Sequence, residues 1–176
     1  MNIRILEESD AVEFSRLRLE ALEEDPLAFG SSPEEHRALS LEEIRHRIRP
    51  KLGEEFVVGA IAEGALIGNA GFYRHAGVKR RHKGHIWGVY VISAYRGRGI
   101  ARQLMHALLD HAAGIEGLEQ IDLCVTTTQS GAAALYRSLG FEVYGREPRA
   151  LKVGDRYFGQ EHMLLRLKSR LTPTEK

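Results

Sequence analysis

The chain has 176 residues, of which 43% are hydrophobic and 28% are charged. These are ordinary values for one globular domain with a core of its own, and they exclude a collagen-like, coiled-coil or extensively disordered chain. The single cysteine, Cys124, excludes an internal disulfide and a cysteine-rich metal site. The net charge of +1 argues against a general nucleic-acid binder, but residues 1–55 carry a net charge of −6 and residues 56–176 a net charge of +7.

The sequence carries no signal for a membrane or for secretion. No apolar run approaches the roughly 20 residues that a membrane-spanning helix needs, and the first residues lack the apolar stretch of a signal peptide. We therefore expect a soluble cytoplasmic protein with no membrane partner. A single domain is expected over residues 1–168, followed by a polar tail over residues 169–176.

The first third of the chain predicts one strand and two helices. The strand covers residues 3–6, and an apolar face at helical spacing predicts a helix that ends near residue 24. Residues 30–33 are interpreted as a loop. The capping box Ser40-x-x-Glu43 begins a second short helix, which ends near residue 48.

The middle third predicts antiparallel β structure. Two apolar segments, over residues 55–62 and 65–73, flank Glu63-Gly64, which is a two-residue hairpin signal. A third apolar segment over residues 85–92 follows a basic turn at residues 79–83. Together these segments indicate an antiparallel meander.

The last part of the chain alternates helices and strands. Its predicted elements are a helix over residues 100–112, a strand over 121–125, a helix over 130–139, a strand from 141 and a last strand over 160–167. The element order indicates the α/β class, with a mixed, mainly antiparallel sheet flanked by helices, and not a doubly wound repeat.

The most informative segment joins the third apolar strand to the helix that follows it. Gly97 and Gly99 let the backbone adopt positive φ and let a ligand approach closely. The free N–H groups and the dipole of a helix start favour an anion, above all a phosphate, and Arg96, Arg98 and Arg102 add positive charge. A tight turn with solvated arginines is the alternative interpretation. The absence of a third glycine argues against a dinucleotide fingerprint, and the absence of Gly-Lys-Ser/Thr argues against a P-loop.

Two linked motifs resemble those of the GNAT superfamily of acyl-CoA N-acyltransferases. Arg96-x-x-Gly99-x-Ala101 is similar to the family signature Arg/Gln-x-x-Gly-x-Gly/Ala, and residues 132–141 are similar to its second signature, Asn-x-x-Ala-x-x-Leu-Tyr-x-x-x-Gly-Phe. The motifs occur in the family's order and spacing, and the predicted elements from residue 3 to residue 167 match its fold. The resemblance implies a GNAT-like fold and an N-acetyltransferase that transfers an acetyl group from acetyl-CoA, as co-substrate, to a primary amine.

The resemblance also implies a role for individual residues. The backbone of residues 96–102 would hold the pyrophosphate of acetyl-CoA. Residues 89–91 would line its pantetheine arm, on a strand that splays from the next one and offers an N–H group to the thioester carbonyl. Tyr136 would protonate the departing thiolate, and Gln129, which replaces the family's Asn, would reach the pantetheine. The implied cofactor-binding residues are Val89, Tyr90, Val91, Arg96, Gly97, Arg98, Gly99, Ile100, Ala101, Arg102 and Gln129.

The sequence offers no clear base for the attacking amine. Cys124 stands where some GNAT relatives carry a glutamate, and it is interpreted as a small core residue rather than a nucleophile. His85 could accept the proton, or it could be an ordinary half-exposed strand residue; a water chain ending at a carbonyl or at an acidic residue is a further option. Because His82 and His85 face opposite sides of a strand, they are a poor metal pair, and we predict no metal. The predicted mechanism is direct attack of the amine in a ternary complex.

The acceptor amine stays open at this point. By resemblance, residues 17–49 and 146–158 would line its side of the site. The acidic residues of the first stretch could attract a cationic amine or form an ordinary solvated helix face. Small amines, antibiotics, amino acids and peptide or protein amines all fit the resemblance.

Other functions account for smaller parts of the sequence. A catalytically silent acyl-CoA-binding or sensing module would explain the missing asparagine and base. A nucleotide-binding oxidoreductase would require the absent third glycine, and an RNA binder would use the basic run at residues 79–83, which a solvated loop also explains. Neither nucleic acid nor membrane is an expected partner, whereas the strand exposed by the splay could pair two copies into a homodimer.

Overall fold

The fold is taken from a computed structural model that describes residues 1–167. The tail expected over residues 169–176 lies outside the described residues, so the domain boundary at residue 168 stays a prediction. The strands are β1 (Asn2–Ile5), β2 (Glu55–Ala62), β3 (Ala65–Arg74), β4 (Lys83–Val91), β5 (Gln120–Thr126), β6 (Glu142–Val153) and β7 (Arg156–Arg166). The helices are α1 (Ala11–Glu24), α2 (Pro33–Arg37), α3 (Leu41–Ile48), α4 (Ile100–Ala113) and α5 (Ser130–Ser138).

The seven strands form one sheet in the order β1-β2-β3-β4-β5-β7-β6. Every neighbouring pair is antiparallel except β4 and β5, which run parallel. This arrangement confirms the predicted mixed, mainly antiparallel sheet. Within residues 1–167, no helix combines the length and the apolar character that crossing a membrane would require.

Helices cover both faces of the sheet, and each face has its own core. On one face Leu104 and Leu108 of α4 pack with Phe72 of β3. On the other face Phe14 of α1 and Ile44 of α3 pack with neighbouring strands. Each of these side chains is almost fully buried, and such burial stabilises the fold by about 1.5–3 kcal/mol per large apolar side chain.

Helix α2 is absent from the sequence prediction, which ended the loop at Pro33 and placed no helix between that residue and residue 40. Its start combines Pro33 at the first helical position with a capping box. The Ser32 hydroxyl accepts a hydrogen bond from the Glu35 backbone, and the Glu35 carboxylate accepts one from the Ser32 N–H. The signal Ser32-x-x-Glu35 is therefore present in the sequence, but α2 is too short to show an apolar period.

A bulge in β4 positions the site. The register with β3 changes between the pairs Asn69–Tyr90 and Gly71–Trp87, which leaves one extra residue on β4. Gly88, within this stretch, has a φ of +64°, a left-handed value that favours glycine. The Asn69 side chain secures the bulge, because its Nδ2 donates to the Gly88 carbonyl at 2.8 Å.

The parallel pairing of β4 with β5 is short. It joins only Lys83–His85 to Gln120–Asp122, three residues on each strand. Beyond His85 the two strands diverge and open a cleft in the middle of the sheet. The splay that the resemblance implies is therefore present.

Candidate active site

The cleft between the diverging strands holds a cavity of about 430 Å³. Its walls include residues 86–91 of β4 and residues 123–125 of β5. The residues assigned from the sequence that line it are Val89, Tyr90, Val91, Arg96, Gly97, Ala101, Gln129 and Tyr136. A smaller depression beside it is lined by Gly99, Ile100 and Arg102. Arg98 lines neither of these two hollows, and its guanidinium lies 5.0 Å from the centroid of the Tyr95 ring.

The turn before α4 has the geometry of an anion site. Gly97 and Gly99 have φ values of +75° and +76°, which explains why glycine stands at both positions. The first backbone hydrogen bond of the helix runs from the Gln103 N–H to the Gly99 carbonyl, at 3.1 Å. The six N–H groups of residues 97–102 have no backbone acceptor within the described chain. Together with the dipole of a 14-residue helix, they suit a phosphate group.

The side chain of Arg96 is engaged within the protein. Its Nε donates to the Val91 carbonyl at 2.9 Å, and its Nη2 lies 3.1 Å from Glu24 and 2.8 Å from Asp25 at the end of α1. These carboxylates balance its charge. Arg96 therefore fastens α1 to the phosphate-binding turn, and the charge that the sequence suggested for a ligand is partly used inside the protein.

Tyr90 lines the cleft, but its ring packs on the α1 face of the sheet. Its hydroxyl donates to the Glu24 carboxylate at 2.7 Å. Burial and this hydrogen bond raise the pKa of Tyr90 well above its ordinary value. Tyr90 is therefore a fixed, protonated part of the wall.

Tyr136 lies on α5 and lines the same cleft. Its side chain is 6% exposed, and its ring packs against Phe141 with the centroids 6.1 Å apart. Burial raises the pKa of the Tyr136 hydroxyl well above its ordinary value, so the group keeps its proton through the neutral range. A buried phenol at the wall of the cleft can donate that proton to a group bound there.

A second cavity, of about 580 Å³, adjoins the first. Both are lined by Phe29, Trp87, Gly88 and Cys124, so they meet where the bulge interrupts β4. A ligand in one cavity and a ligand in the other can therefore touch at this junction.

The acidic residues of the first helices do not collect in the second cavity. Glu35 and Glu43 cap their own helices, and Glu42 pairs with Arg45 on the outside of α3. Glu55 does line the second cavity, and it pairs with Lys51. The structure therefore favours the solvated helix face over the acidic acceptor surface.

His85 and Asp122 form a hydrogen-bonded pair at the point where β4 and β5 part. The His85 Nδ1 contacts one oxygen of Asp122, and the His75 Nε2 lies 3.3 Å from the other. Although burial raises it, the contacts with His85 and His75 hold the pKa of Asp122 below its ordinary value, so the group is a carboxylate. The carboxylate accepts a hydrogen bond from the Nδ1–H group, and in this neutral tautomer the His85 Nε2 carries a free lone pair. His85 also lines the second cavity.

Sequence reasoning named His85 but missed its partner. The two residues are 37 positions apart, and only the register of the parallel strands brings them together. The ligand-type atoms of His75, His85 and Asp122 lie within 4.8 Å of one another. The hydrogen bonds to Asp122 account for this spacing, and the expected absence of a metal stays a prediction.

The interpretation of Cys124 as a core residue is wrong. Cys124 is solvent-accessible and lines both cavities at their junction. Its Sγ lies 3.1 Å from the Nδ1 of His162, its cross-strand neighbour on β7. Partial burial and the carboxylates of Asp122 and Glu147 raise the pKa of the thiol. It therefore stays protonated at neutral pH, which disfavours a nucleophilic role.

The model of the acetyltransferase (GNAT) family matches residues 17–141 of this chain. These residues include the second half of α1, the cleft, the anion-binding turn and the helix that carries Tyr136. The chain therefore belongs to the GNAT family of acetyltransferases, as the two sequence motifs indicated.

Three relatives are similar to parts of the chain. N-alpha-acetyltransferase RimI of Mycobacterium tuberculosis is 40% identical over 96 residues, which are 54% of this chain and 58% of that protein. The L-methionine sulfoximine/L-methionine sulfone acetyltransferase of Pseudomonas aeruginosa is 30% identical over 121 residues, 68% of this chain and 69% of that protein. An uncharacterised protein of Mycobacterium leprae is 42% identical over 92 residues, 52% of this chain and only 24% of that protein. The chain thus spans less than two thirds of the length of both mycobacterial relatives.

Solved structures share the whole fold. A GNAT-family acetyltransferase from Streptococcus pneumoniae has a TM-score of 0.84 at 20% identity, over 94% of this chain and 99% of that one. The putative acetyltransferase YncA from Salmonella typhimurium, solved with its cofactor acetyl-CoA, has a TM-score of 0.79 at 22% identity, over 98% of this chain and 97% of that one. At these identities the likeness shows the fold alone.

Proposed function

We propose that this protein is an N-acetyltransferase that transfers the acetyl group of acetyl-CoA directly to a primary amine in a ternary complex. The observation that carries the proposal is the junction of the two cavities at Gly88. One cavity offers a phosphate-binding turn and a buried phenol, and the other offers a carboxylate-oriented histidine. The two co-substrates and both proton-transfer groups then meet in one place.

The first cavity fits acetyl-CoA. The N–H groups of residues 97–102 would hold the pyrophosphate, and Gln129 with residues 89–91 would line the pantetheine arm. Beyond His85, the edge of β4 that faces the cleft is not paired with β5, so its backbone groups can bind an extended arm as an added strand would. An N–H of this edge near Val91 would stabilise negative charge on the thioester oxygen.

His85 is the proposed acceptor of the proton that the amine loses. Asp122 fixes the ring and holds the proton at Nδ1, as the geometry of the pair indicates. The lone pair at Nε2 can then take up a proton as the amine attacks. General-base assistance of this kind is worth about 10²–10⁴-fold in rate.

Tyr136 is the proposed proton donor to the leaving thiolate. Its pKa, raised by burial, keeps it protonated, and its place in the wall of the first cavity puts it on the CoA side of the junction. The protein thus uses separate groups on opposite sides of the reacting atoms for the two proton transfers.

An acetyl-CoA assay tests the proposal. Thiol release is followed across a broad panel of amines and peptides, and CoA affinity is measured separately by calorimetry. We expect turnover with at least one amine, and we expect His85→Gln to lower kcat by about 10²-fold or more while CoA affinity stays unchanged. His106→Gln, on the exposed side of α4, is the matched control and should behave as wild type. Tight CoA binding with no turnover on any amine would support a silent acyl-CoA-binding module instead.

A cytoplasmic location is part of the proposal, because the exposed thiol of Cys124 is best preserved in a reducing compartment. Homodimer formation stays a prediction. Sedimentation or light scattering of the purified full chain measures it directly.

A further inference from the structure

The second cavity contains a positive charge that the protein leaves without a partner. Arg18, on α1, is 5% exposed and lines this cavity. Its Nη1 has no hydrogen-bond partner in the described part of the chain. Buried charges are normally paired and hydrogen-bonded, since removing them from water is costly. No carboxylate among residues 1–167 contributes to its pKa either, so this buried guanidinium lacks a counter-anion within the described chain.

A second arginine faces the same cavity. Arg47, on α3, lines it, and its guanidinium lies 5.0 Å from the centroid of the Trp87 ring. Burial and the charge of Arg47 lower the pKa of Arg18 to about 10, and no acidic residue among residues 1–167 offsets these effects. Two like charges that face one cavity destabilise each other unless an anion lies between them.

Other arginines of this protein show the contrast. Arg4 pairs with Asp10 at 2.7 Å, and Arg49 pairs with Glu8 at 2.6 Å. Arg45, two residues before Arg47 on the same helix, pairs with Glu42 at 3.5 Å. Arg18 therefore differs from these three arginines in that it is buried and no carboxylate pairs with it among the described residues.

The anion site lies at the reaction centre. A β-carbon built on Gly88 would lie 3.6 Å from the Arg18 Nη1, so this nitrogen sits next to the bulge where the two cavities meet. The Arg18 guanidinium also stacks on Phe29, 4.4 Å from the ring centroid, which fixes its plane. An anionic group held here would place a neighbouring amine at the junction.

We propose that the acceptor is a small amino acid, an amine that carries a carboxylate, and that Arg18 and Arg47 bind this carboxylate. The proposal rests on the proposed function and names the substrate class of the same site. Guanidinium groups bind carboxylates in a bidentate manner, which orients the ligand as well as holding it. The carboxylate balances the buried charge of Arg18, and the amine of the same molecule is thereby positioned for attack. A peptide amine, whose nearest carbonyl group is an uncharged amide, lacks this contact.

The test compares L-amino acids with their carboxamides as acceptors. We expect the wild-type kcat/KM for an accepted amino acid to exceed that of its carboxamide by about ten- to a hundredfold. This is about the factor in affinity that one charge-assisted hydrogen bond contributes. Arg47→Gln should lower this ratio about tenfold, mainly through KM, with CoA affinity unchanged. Arg45→Gln, the matched control on the same helix, should keep the ratio.

A second measurement does not depend on turnover. Thermal unfolding is followed for wild type, Arg18→Met and Arg47→Gln with each amino acid and each carboxamide. At least one amino acid, but not its carboxamide, should raise the Tm of wild type, and neither variant should respond. A wild-type Tm that no amino acid raises overturns the carboxylate site. Arg18→Met, which removes an unpaired buried charge, should unfold at the same temperature as wild type or higher in the absence of ligand.

The outcomes separate this proposal from the proposed function. Equal use of amino acids and carboxamides, or a preference for peptides, overturns the carboxylate site and leaves the acetyltransferase in place. Absence of transfer to every amine overturns the proposed function. In that case the carboxylate site is still tested by comparing the ligand-induced change in Tm between wild type and the two variants. An unchanged acid-to-amide ratio in Arg47→Gln also overturns it.

Discussion

Replacement of Tyr136 by phenylalanine isolates the hydroxyl that we propose as the proton donor. The ring stays, and with it the packing on Phe141 at 6.1 Å. Burial alone raises the pKa of this hydroxyl, and no hydrogen bond from residues 1–167 contributes, so the variant loses none. The free energy of unfolding should therefore change by no more than about 1 kcal/mol.

The effect on turnover should be much larger than the effect on stability. Without the phenol the thiolate must leave unprotonated or take its proton from water. General-acid assistance is worth about 10²–10⁴-fold, or about 3–5 kcal/mol of activation free energy. We expect kcat to fall by this factor and the Kd for CoA to change less than about threefold.

The assay measures thiol release at saturating acetyl-CoA, with CoA binding by calorimetry and stability by urea unfolding. Tyr144→Phe is the matched control, because Tyr144 is 61% exposed on β6 and lines neither cavity. A Tyr136→Phe variant that folds, binds CoA and turns over at the wild-type rate would refute the assigned role. A loss of CoA affinity equal to the loss of turnover would assign Tyr136 to binding instead.

Further predictions concern the turn, the thiol and the buried carboxylate. Gly99→Ala should lower the free energy of unfolding by about 1–2 kcal/mol, because the backbone φ at this residue is +76°. Gly131→Ala, in α5 with free space around it, should instead raise the free energy of unfolding by about 0.5–1 kcal/mol. Urea unfolding of both variants measures the contrast. Cys124→Ser should keep turnover within about threefold of wild type, and an acetylated enzyme trapped on Cys124 would contradict direct transfer. The pKa of Asp122 is lower in the folded chain than its unfolded value of about 3.9, so its stabilisation is present above pH 4 and is lost as the pH falls through the folded pKa. Asp122→Asn should therefore lose less stability than wild type between pH 5 and pH 3 in urea unfolding. Turnover should be insensitive to EDTA. Inhibition by EDTA that added zinc reverses would contradict the predicted absence of a metal and would point to the cluster around Asp122.

The parts of the fold that were predicted well depend on local sequence. Helices α1, α3, α4 and α5 were placed to within a residue or two, because an apolar period or a cap marks each of them. The anion-binding turn was predicted from Gly97 and Gly99, whose positive φ is a property of the backbone at those two residues. Such features can be predicted without knowing which residues pack against them.

The acceptor side depends on contacts that local sequence does not determine. The pairing of His85 with Asp122 follows from the register of two parallel strands, and the contact of Cys124 with His162 from the register of β5 with β7. Arg18 occupies one position of a charged helix, and only the packing of α1 on β4 shows that it is buried. The sequence therefore left an acidic acceptor surface and a solvated helix face open, whereas two arginines line the second cavity in the structure.

If the acyl donor binds in the cleft as proposed, the seam between β4 and β5 makes the stability of this protein depend on the cellular supply of that ligand. Strands β1–β4 and β5–β7 are two half-sheets joined through only three residue pairs. A molecule that lies in the cleft as an added strand ties the two halves together and binds the folded state alone. At a concentration 100 times its Kd, such a ligand adds about 2.7 kcal/mol to the free energy of unfolding. Starvation for the acyl donor would then expose the protein to proteolysis, and its abundance in the cell would follow the supply of its own co-substrate.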